Sequence, residues 1–164
     1  MDLRTPQSLK VEHEELHAEL KKATKAGGAT GEAAKAVVKV LHPHFLKEEE
    51  YALPPLGLLP ALVSGKVSSD MKAAADMSDK LNADLSHMLL EHKEILGALA
   101  NITRAGEDEG KKEFAHFARK LILHAQTEEE VLYPASILVG EYLKLRLADL
   151  KLNEAEADNV RRRE

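Results

Sequence analysis

The sequence predicts an all-α protein, an up-down four-helix bundle with an additional short C-terminal helix. Apolar residues recur at alternating steps of three and four along four long segments, which is the spacing of one helix face. The strict alternation that is typical of β-strands is absent from these segments. The first and second segments, and the third and fourth, are joined by short connections, so each pair is expected to run antiparallel.

Glycine and proline mark the predicted helix ends. The first helix ends before the glycine-rich stretch AGGATG, and the second stops at Pro54 and Pro55, because proline cannot continue the backbone hydrogen-bond ladder. The third ends at AGEDEG and the fourth at Pro134. The predicted ranges are about 6–25, 31–53, 68–104 and 107–133, followed by a short helix at about 135–150. The longer connection PPLGLLPALVSGK is expected to pack across one end of the bundle.

Composition limits the classes of function. The 164 residues are expected to form one domain at 1–150 followed by a charged tail at 151–164. The net charge of -5 argues against nucleic acid as a partner, and the lack of cysteine excludes disulfides and thiolate chemistry. The most apolar stretch, YALPPLGLLPALVSG, is too short to span a membrane. The N-terminal segment lacks a signal-peptide pattern, so a cytoplasmic location is expected.

One phrase occurs twice in the sequence. HFLKEEEYALPP begins at His44, and HAQTEEEVLYPA begins at His124, 80 residues later. The segments VEHEEL and LEHKEI align His13 with His92 in the same way. The chain is therefore interpreted as an internal duplication of a helical hairpin, with copies at about 6–53 and 68–133. Each copy carries one histidine and one His-x-x-x-Glu.

The repeated polar residues fall on the predicted apolar stripes. In the second and fourth helices these stripes are Ala34, Val37, Leu41, His44, Glu48, Tyr51 and Phe114, Phe117, Leu121, His124, Glu128, Val131. In the first and third helices they are Leu9, His13, Leu16, Leu20, Ala23 and Leu81, Leu85, Met88, His92, Ile95, Leu99, Ile102. Residues at i and i+4 share a helix face. Four imidazoles and two carboxylates are therefore expected to meet inside the bundle.

This cluster predicts a metal centre. A carboxylate in an apolar core costs on the order of several kcal/mol unless a partner compensates. A network of His–Glu hydrogen bonds is one explanation. The stronger one is a metal site, since imidazole and carboxylate are ligands of iron, manganese and zinc. Two carboxylates from opposing helices can bridge two ions, with two histidines left for each ion.

Other polar residues lie close to the predicted centre. His17 lies at the edge of the first stripe, as a fifth imidazole ligand, an outer partner or a surface residue, and Tyr51 is placed to hydrogen-bond to the centre. The remaining histidines are expected to lie outside the centre; these are His42, His87 and His116. The glutamates that follow each His-x-x-x-Glu are expected on the solvated helix surface; these are Glu49, Glu50, Glu129 and Glu130.

A ferritin-like alternative uses Glu-x-x-His pairs on two helices. The sequence has two such pairs, Glu14/His17 and Glu113/His116. His116 does not lie on an apolar stripe, and the pair does not recur at the repeat offset. This alternative is therefore rejected.

The arrangement His, His-x-x-x-Glu, His, His-x-x-x-Glu resembles the hemerythrin-like (HHE cation-binding) domain. The resemblance covers about residues 8–134 and includes the pair Glu91-His92 and the EEE…YP of the second repeat. It implies a non-haem di-iron centre with bridging carboxylates that binds O2 or NO. The ligands carried over are His13, His44, Glu48, His92, His124 and Glu128.

The sequence departs from the oxygen-carrying members of this family at two places. Those carriers have a fifth histidine in a His-x-x-x-His on the third helix, where this chain has Met88 and Leu96 on either side of His92. They also use an aspartate five residues after the last histidine, where this chain has Glu129. A local bulge would exchange Glu129 for Glu128 as the ligand. The ligand set looks closer to that of members implicated in iron-centre repair.

The predicted function is a cytoplasmic di-iron protein that binds O2 or NO, for oxygen binding, sensing or iron handling. An enzyme that turns over peroxide or NO, and a protein that repairs or donates iron, are the alternatives. The predicted cofactor is a pair of iron ions, and manganese and zinc accept the same ligands. No nucleic acid or membrane is expected as a partner, and both a monomer and a homodimer stay open.

Overall fold

A computed structural model describes residues 3–162, with all side chains in that range except those of residues 154, 157, 158 and 160. Helices account for nearly all of this part of the chain, which contains no β-strand, so the all-α class is confirmed. The α-helices are α1 Gln7–Ala23, α2 Gly28–Lys47, α3 Leu59–Val63, α4 Lys72–Asp108, α5 Lys112–Thr127 and α6 Tyr133–Arg161. Two π-helical turns, Glu48–Ala52 and Glu128–Leu132, follow α2 and α5.

The four-helix bundle consists of α1, α2, α4 and α5, and its two hairpin turns lie at the same end. Glu109, in the turn between α4 and α5, accepts hydrogen bonds from the Ala29 backbone N–H at 2.7 Å and the Thr30 hydroxyl at 2.6 Å. Gly28 has a φ of +64°, and a side chain there would collide with the Glu109 carboxylate. Glu109 therefore closes the first turn of α2, and only glycine fits beside it.

The main apolar core fills the bundle between these turns and the polar cluster. Its buried members come from all four helices, as the stripes predict. They are Leu16, Leu20, Ala23, Ala34, Val37, Leu41, Phe45, Ile95, Leu99, Ile102, Phe117, Ala118 and Leu121. The prediction failed at one stripe position, Val131, whose side chain is 55% exposed.

The opposite end of the bundle is closed by the connection between α2 and α4, as expected. Pro54–Leu58 forms a 3₁₀ turn that continues into the short helix α3. Leu58 packs with Met71 and Ala75 near the start of α4, and with Val139 and Leu143 of α6. These contacts place the connection and α6 together over the end of the bundle beyond the polar cluster.

Several predicted helix bounds were wrong, including the start of the fourth helix, which lies at Lys112 and not at about 107. The α4 helix continues through the expected turn AGEDEG to Asp108, because Gly106 lies buried inside the helix and the chain turns only at residues 109–111. The last helix is not short. Pro134 falls in its first turn, where a missing N–H costs nothing, and the charged segment after 150 holds mostly helix formers without glycine or proline. The predicted tail is therefore helical as far as Arg161.

None of the helices in the described range has the length and apolar character needed to cross a membrane.

Candidate metal centre

Six polar side chains meet inside the bundle, and each helix of the bundle supplies a histidine. The histidines are His13 on α1, His44 on α2, His92 on α4 and His124 on α5. Glu48 and Glu128 begin the two π-helical turns. All six side chains are at most 3% exposed. The structure thus brings together the six residues that the sequence predicted as ligands.

The π-helical turns determine which residues face the centre. The backbone N–H of Leu53 donates to the Glu48 carbonyl, and that of Tyr133 to the Glu128 carbonyl, five residues back along the chain. Each turn therefore contains an extra residue and rotates the chain that follows. In the second repeat this rotation exposes Val131 and buries Tyr133.

The first set of donor atoms comes from His44, His92, Glu48 and Glu128, whose ligand atoms lie within 4.8 Å of one another. The Nε2 atom of His44 lies 3.0 Å from Glu48 Oε1. The Nε2 atom of His92 lies 3.9 Å from the same oxygen and 3.5 Å from Glu128 Oε2. Two imidazoles and two carboxylates thus surround one position.

The second set comes from His13, His124 and Glu128. Glu128 Oε1 lies 2.9 Å from His124 Nε2 and 3.5 Å from His13 Nε2, and the two Nε2 atoms are 3.1 Å apart. Glu48 Oε2 lies 3.8 Å from His13 Nε2. Glu128 therefore belongs to both sets, one oxygen to each, and Glu48 reaches toward both.

Two carboxylate oxygens in this cluster test whether the residues fit a cation. Glu48 Oε2 and Glu128 Oε1 are buried and have no hydrogen-bond donor. A buried acceptor without a partner costs about 1–3 kcal/mol, and a charged one costs more. A cation between the two sets would satisfy both oxygens, and imidazole with carboxylate is a ligand set that iron, manganese and zinc accept. The residues fit a metal centre.

A second ring of carboxylates surrounds the histidines. The Nδ1 atoms of His44 and His92 lie 2.8 Å from Glu91 and Glu129, respectively. The remaining two contacts are His124 Nδ1 to Glu12 at 3.2 Å and His13 Nδ1 to Glu49 at 3.8 Å. A carboxylate at Nδ1 fixes the ring orientation and leaves Nε2 for a metal.

The sequence analysis did not predict this outer ring, although it contained a signal. Glu12 and Glu91 correspond in the duplication, as do Glu49 and Glu129, and each pair contacts corresponding histidines. The recurrence of these glutamates at the repeat offset could therefore have identified the outer ring. Glu129 lies in the outer ring, and Glu128 is the residue whose oxygens face the centre.

The electrostatics of the cluster are dominated by mutual attraction. Burial by itself lowers the pKa of His92 and His124, but attraction to the nearby glutamates, chiefly Glu128, outweighs it and raises these pKa values to about 10 and about 9. Burial likewise raises the pKa of Glu128, yet the close imidazoles of His124, His13 and His92 hold it well below its usual range. The anionic form of Glu128 that a cation requires is therefore favoured.

Tyr133 makes the two halves of the centre different. Its buried hydroxyl donates to Glu48 Oε1 at 2.5 Å and lies 3.3 Å from the Nε2 atoms of both His44 and His92. The corresponding residue of the first repeat is Leu53. The first donor set therefore has a phenol beside it, and burial raises the pKa of that phenol, so it stays protonated.

Tyr51 and His17 do not join the six residues. The Tyr51 hydroxyl donates to Asp84 at 2.7 Å, so the predicted contact with the centre is made by Tyr133 instead. His17 is exposed and packs edge-on against Phe45, with ring centroids 4.8 Å apart, and it belongs to neither donor set among the described residues. His42, His87 and His116 are also exposed.

A surface cavity of about 380 Å³ lies beside the centre. It lies between the segment before α1, α1 itself and the first π-helical turn, and His13 lines it. The other lining residues are Arg4, Thr5, Gln7, Lys10, Glu14 and Glu49. The second donor set is therefore the one nearer to this opening.

A four-helix bundle with two adjoining His/Glu donor sets in its core defines a cation-binding protein. The family described as the Hemerythrin HHE cation binding domain matches residues 5–136, and the chain belongs to that family. This finding confirms the resemblance that the repeated histidine and glutamate motifs indicated. No curated protein and no solved structure matches the chain.

Proposed function

We propose that this chain is a non-haem di-iron protein that binds O2 or NO, for oxygen binding, sensing or iron handling. The observation that carries the proposal is the pair of donor sets that share Glu128. One buried oxygen of Glu48 and one of Glu128 have no hydrogen-bond donor, and bound cations would satisfy both. One position has His44 and His92, and the other has His13 and His124, which is the arrangement expected for two bridged ions.

Each part of the site has a role in this proposal. Bound iron supplies the capacity to take up O2 or NO. The outer carboxylates hold the imidazole rings in place, so that each Nε2 atom faces the ion. The apolar residues on both sides keep bulk water from the centre, and Leu121 and Met88, one turn before His124 and His92, are buried. The cavity beside His13 offers a route for a small ligand.

The first experiment measures the metal content of protein from iron-supplemented cells by inductively coupled plasma mass spectrometry. We expect about two irons per chain, because two donor sets share one bridging carboxylate. NO added to the reduced protein should then change its visible absorption. Two zinc or manganese ions would contradict the iron proposal while keeping the site. Folded protein that takes up no metal would contradict the whole proposal.

An enzyme is the second candidate, and Tyr133 favours it. Turnover of peroxide or NO needs a proton donor at the centre, and the Tyr133 hydroxyl is buried there against Glu48. Repeated consumption of added peroxide or NO in the presence of a reductant separates the two functions. A binding protein takes up no more than about one small ligand per centre and releases it unchanged, whereas an enzyme consumes many equivalents. Transfer of iron to a metal-free client protein would instead support the iron-donor alternative.

The cytoplasmic location and the absence of nucleic-acid and membrane partners stay predictions from composition. Fractionation of cells that express the protein would test the location.

A further inference from the structure

The last helix, α6, has apolar residues on two opposite faces. One face is buried against the bundle and holds Val139 and Leu143, which are 4% and 0% exposed. The other face holds Leu138, Leu145 and Leu152, which are 68%, 69% and 64% exposed. A helix turns by about 100° per residue, so the buried and exposed sets lie on opposite sides of α6. The bundle therefore does not cover the second face.

The exposed leucines follow one another at intervals of seven residues. Seven residues complete almost two helical turns, so these side chains form a straight ridge along α6. The second seam position of each heptad lies three residues after the leucine and holds Glu141, Ala148 and Ala155 in turn. Glu141 is paired with Lys144 of its own chain. Alanine at that position lets a second helix approach closely. The pattern is that of a short two-stranded coiled coil.

An apolar groove extends this ridge at its N-terminal end. It has a volume of about 390 Å³ and lies between α3 and α6, where Val63 is 87% exposed. At the other end, the described side chains from Lys151 onward are all exposed. A short helical segment without packing partners is marginally stable in water, so contact with another helix would stabilise the part of α6 beyond residue 150.

Charges beside the ridge specify the partner helix. With the leucines at position a of each heptad, Lys144 and Lys151 occupy position g, and Asp149 and Glu156 occupy position e. In a parallel pair of identical helices, each g residue faces the e residue five positions further along the partner. Lys151 then meets Glu156 of the second copy, whereas Lys144 is held by Asp79 and Glu141 of its own chain. An antiparallel pair would instead place lysine against lysine and carboxylate against carboxylate.

We infer that α6 is a homodimerisation surface, on which two copies of this chain pair as parallel helices along Leu138, Leu145 and Leu152. The surface lies on the side of α6 away from the bundle, so pairing leaves the donor sets of each copy unchanged. The inference is independent of the proposed function.

The test is the molar mass of the full metal-loaded chain, measured by sedimentation velocity over a wide range of protein concentration. We expect a monomer–dimer equilibrium. Leu145→Glu should raise the dimer dissociation constant by at least about tenfold, because it places a charge in the apolar seam of both copies. The matched control is Leu123→Glu on α5, since Leu123 is 64% exposed and lies off this surface. Circular dichroism checks that both variants remain helical.

A charge exchange tests the parallel arrangement. Lys151→Glu should weaken the dimer, because Glu156 of the second copy then faces a like charge, and adding Glu156→Lys should restore it. In an antiparallel pair, Lys151→Glu would strengthen the dimer, which overturns the parallel arrangement. A wild-type chain that stays monomeric, or a dimer that tolerates Leu145→Glu as well as Leu123→Glu, overturns the inference itself.

Discussion

At the scale of single residues, the contrast between Glu128 and its neighbours shows how position determines role. Glu128, Glu129 and Glu130 are chemically identical, yet the first lies between two donor sets, the second orients His92, and the third is exposed. The reason is the π-helical turn that begins at Glu128 and rotates the following residues. Removing each carboxylate should therefore have a different effect.

Glu128→Ala or Glu48→Ala should lower the bound metal from about two ions per chain to one or fewer. Glu128 belongs to both donor sets, and Glu48 belongs to the first set and reaches toward the second. Metal content by mass spectrometry is the measurement. Glu130→Ala and His87→Ala are the controls, since both residues are exposed outside the centre. Full metal occupancy in both glutamate variants would contradict the bridging assignment.

Tyr133→Phe should keep the metal, because all six donor residues remain, and should change the visible spectrum of the loaded protein. The variant removes the hydrogen bond to Glu48 Oε1, an oxygen of the first donor set. Tyr51→Phe is the matched control, since it removes a hydroxyl that bonds to Asp84 instead. Identical spectra for wild type and Tyr133→Phe would show that the phenol has no influence on the centre.

At the scale of elements, close contact between α4 and α6 holds the last helix on the bundle. Gly140 packs directly against Ser78, whose hydroxyl donates to the Ser136 carbonyl at 2.7 Å. A methyl group at 140 would overlap the Ser78 side chain. The backbone of α6 must therefore approach α4 closely at this point.

Gly140→Ala should reduce the free energy of unfolding by about 1–3 kcal/mol, because the helices must separate to admit the methyl group. Urea denaturation is the measurement. Gly97→Ala, within α4, is the control: it has open space around it and should stabilise by roughly 0.5–1 kcal/mol through helix propensity. Equal effects of the two substitutions would contradict the close packing.

The stabilising contribution of Glu109, in the turn between α4 and α5, should depend on pH. Hydrogen bonds from Lys111, Thr30 and the Ala29 backbone hold the pKa of Glu109 at about 2, below its ordinary value of 4.5. Because the pKa of Glu109 is lower in the folded state, the carboxylate contributes fully to stability above pH 4.5. This contribution is lost as the pH falls toward 2. The stability difference between wild type and Glu109→Gln should shrink over that interval. A difference in the free energy of unfolding that stays constant from pH 6 to pH 2.5, within the error of urea titrations, would contradict this role.

At the scale of the whole molecule, the centre brings together buried side chains from all four helices of the bundle. Two glutamates lie within the space where four helices meet, and two of their oxygens have no donor. A cation would join all four helices through one set of ligands. Metal binding should therefore stabilise the bundle as a unit.

Chelation of the metal should lower the melting temperature of the protein. Binding to the folded state stabilises by about 4 kcal/mol when the free metal exceeds its dissociation constant a thousandfold. Differential scanning calorimetry of loaded and chelated protein measures this shift. The Glu128→Ala variant is the control and should show little response to chelator. An unchanged transition in the wild type would indicate that the cluster is a hydrogen-bond network without a cation.

The sequence by itself determined the helical class, the duplication and the residues of the centre. Periodicity fixes which side chains share a helix face, so His44 and Glu48, and His124 and Glu128, had to point into the same core. Periodicity assumes a regular helix, however. The π-helical turns break that regularity, and for this reason only the tertiary structure could show that Tyr133 and not Tyr51 contacts the centre. Only packing between helices could pair Glu12 with His124, because the two residues are far apart along the chain.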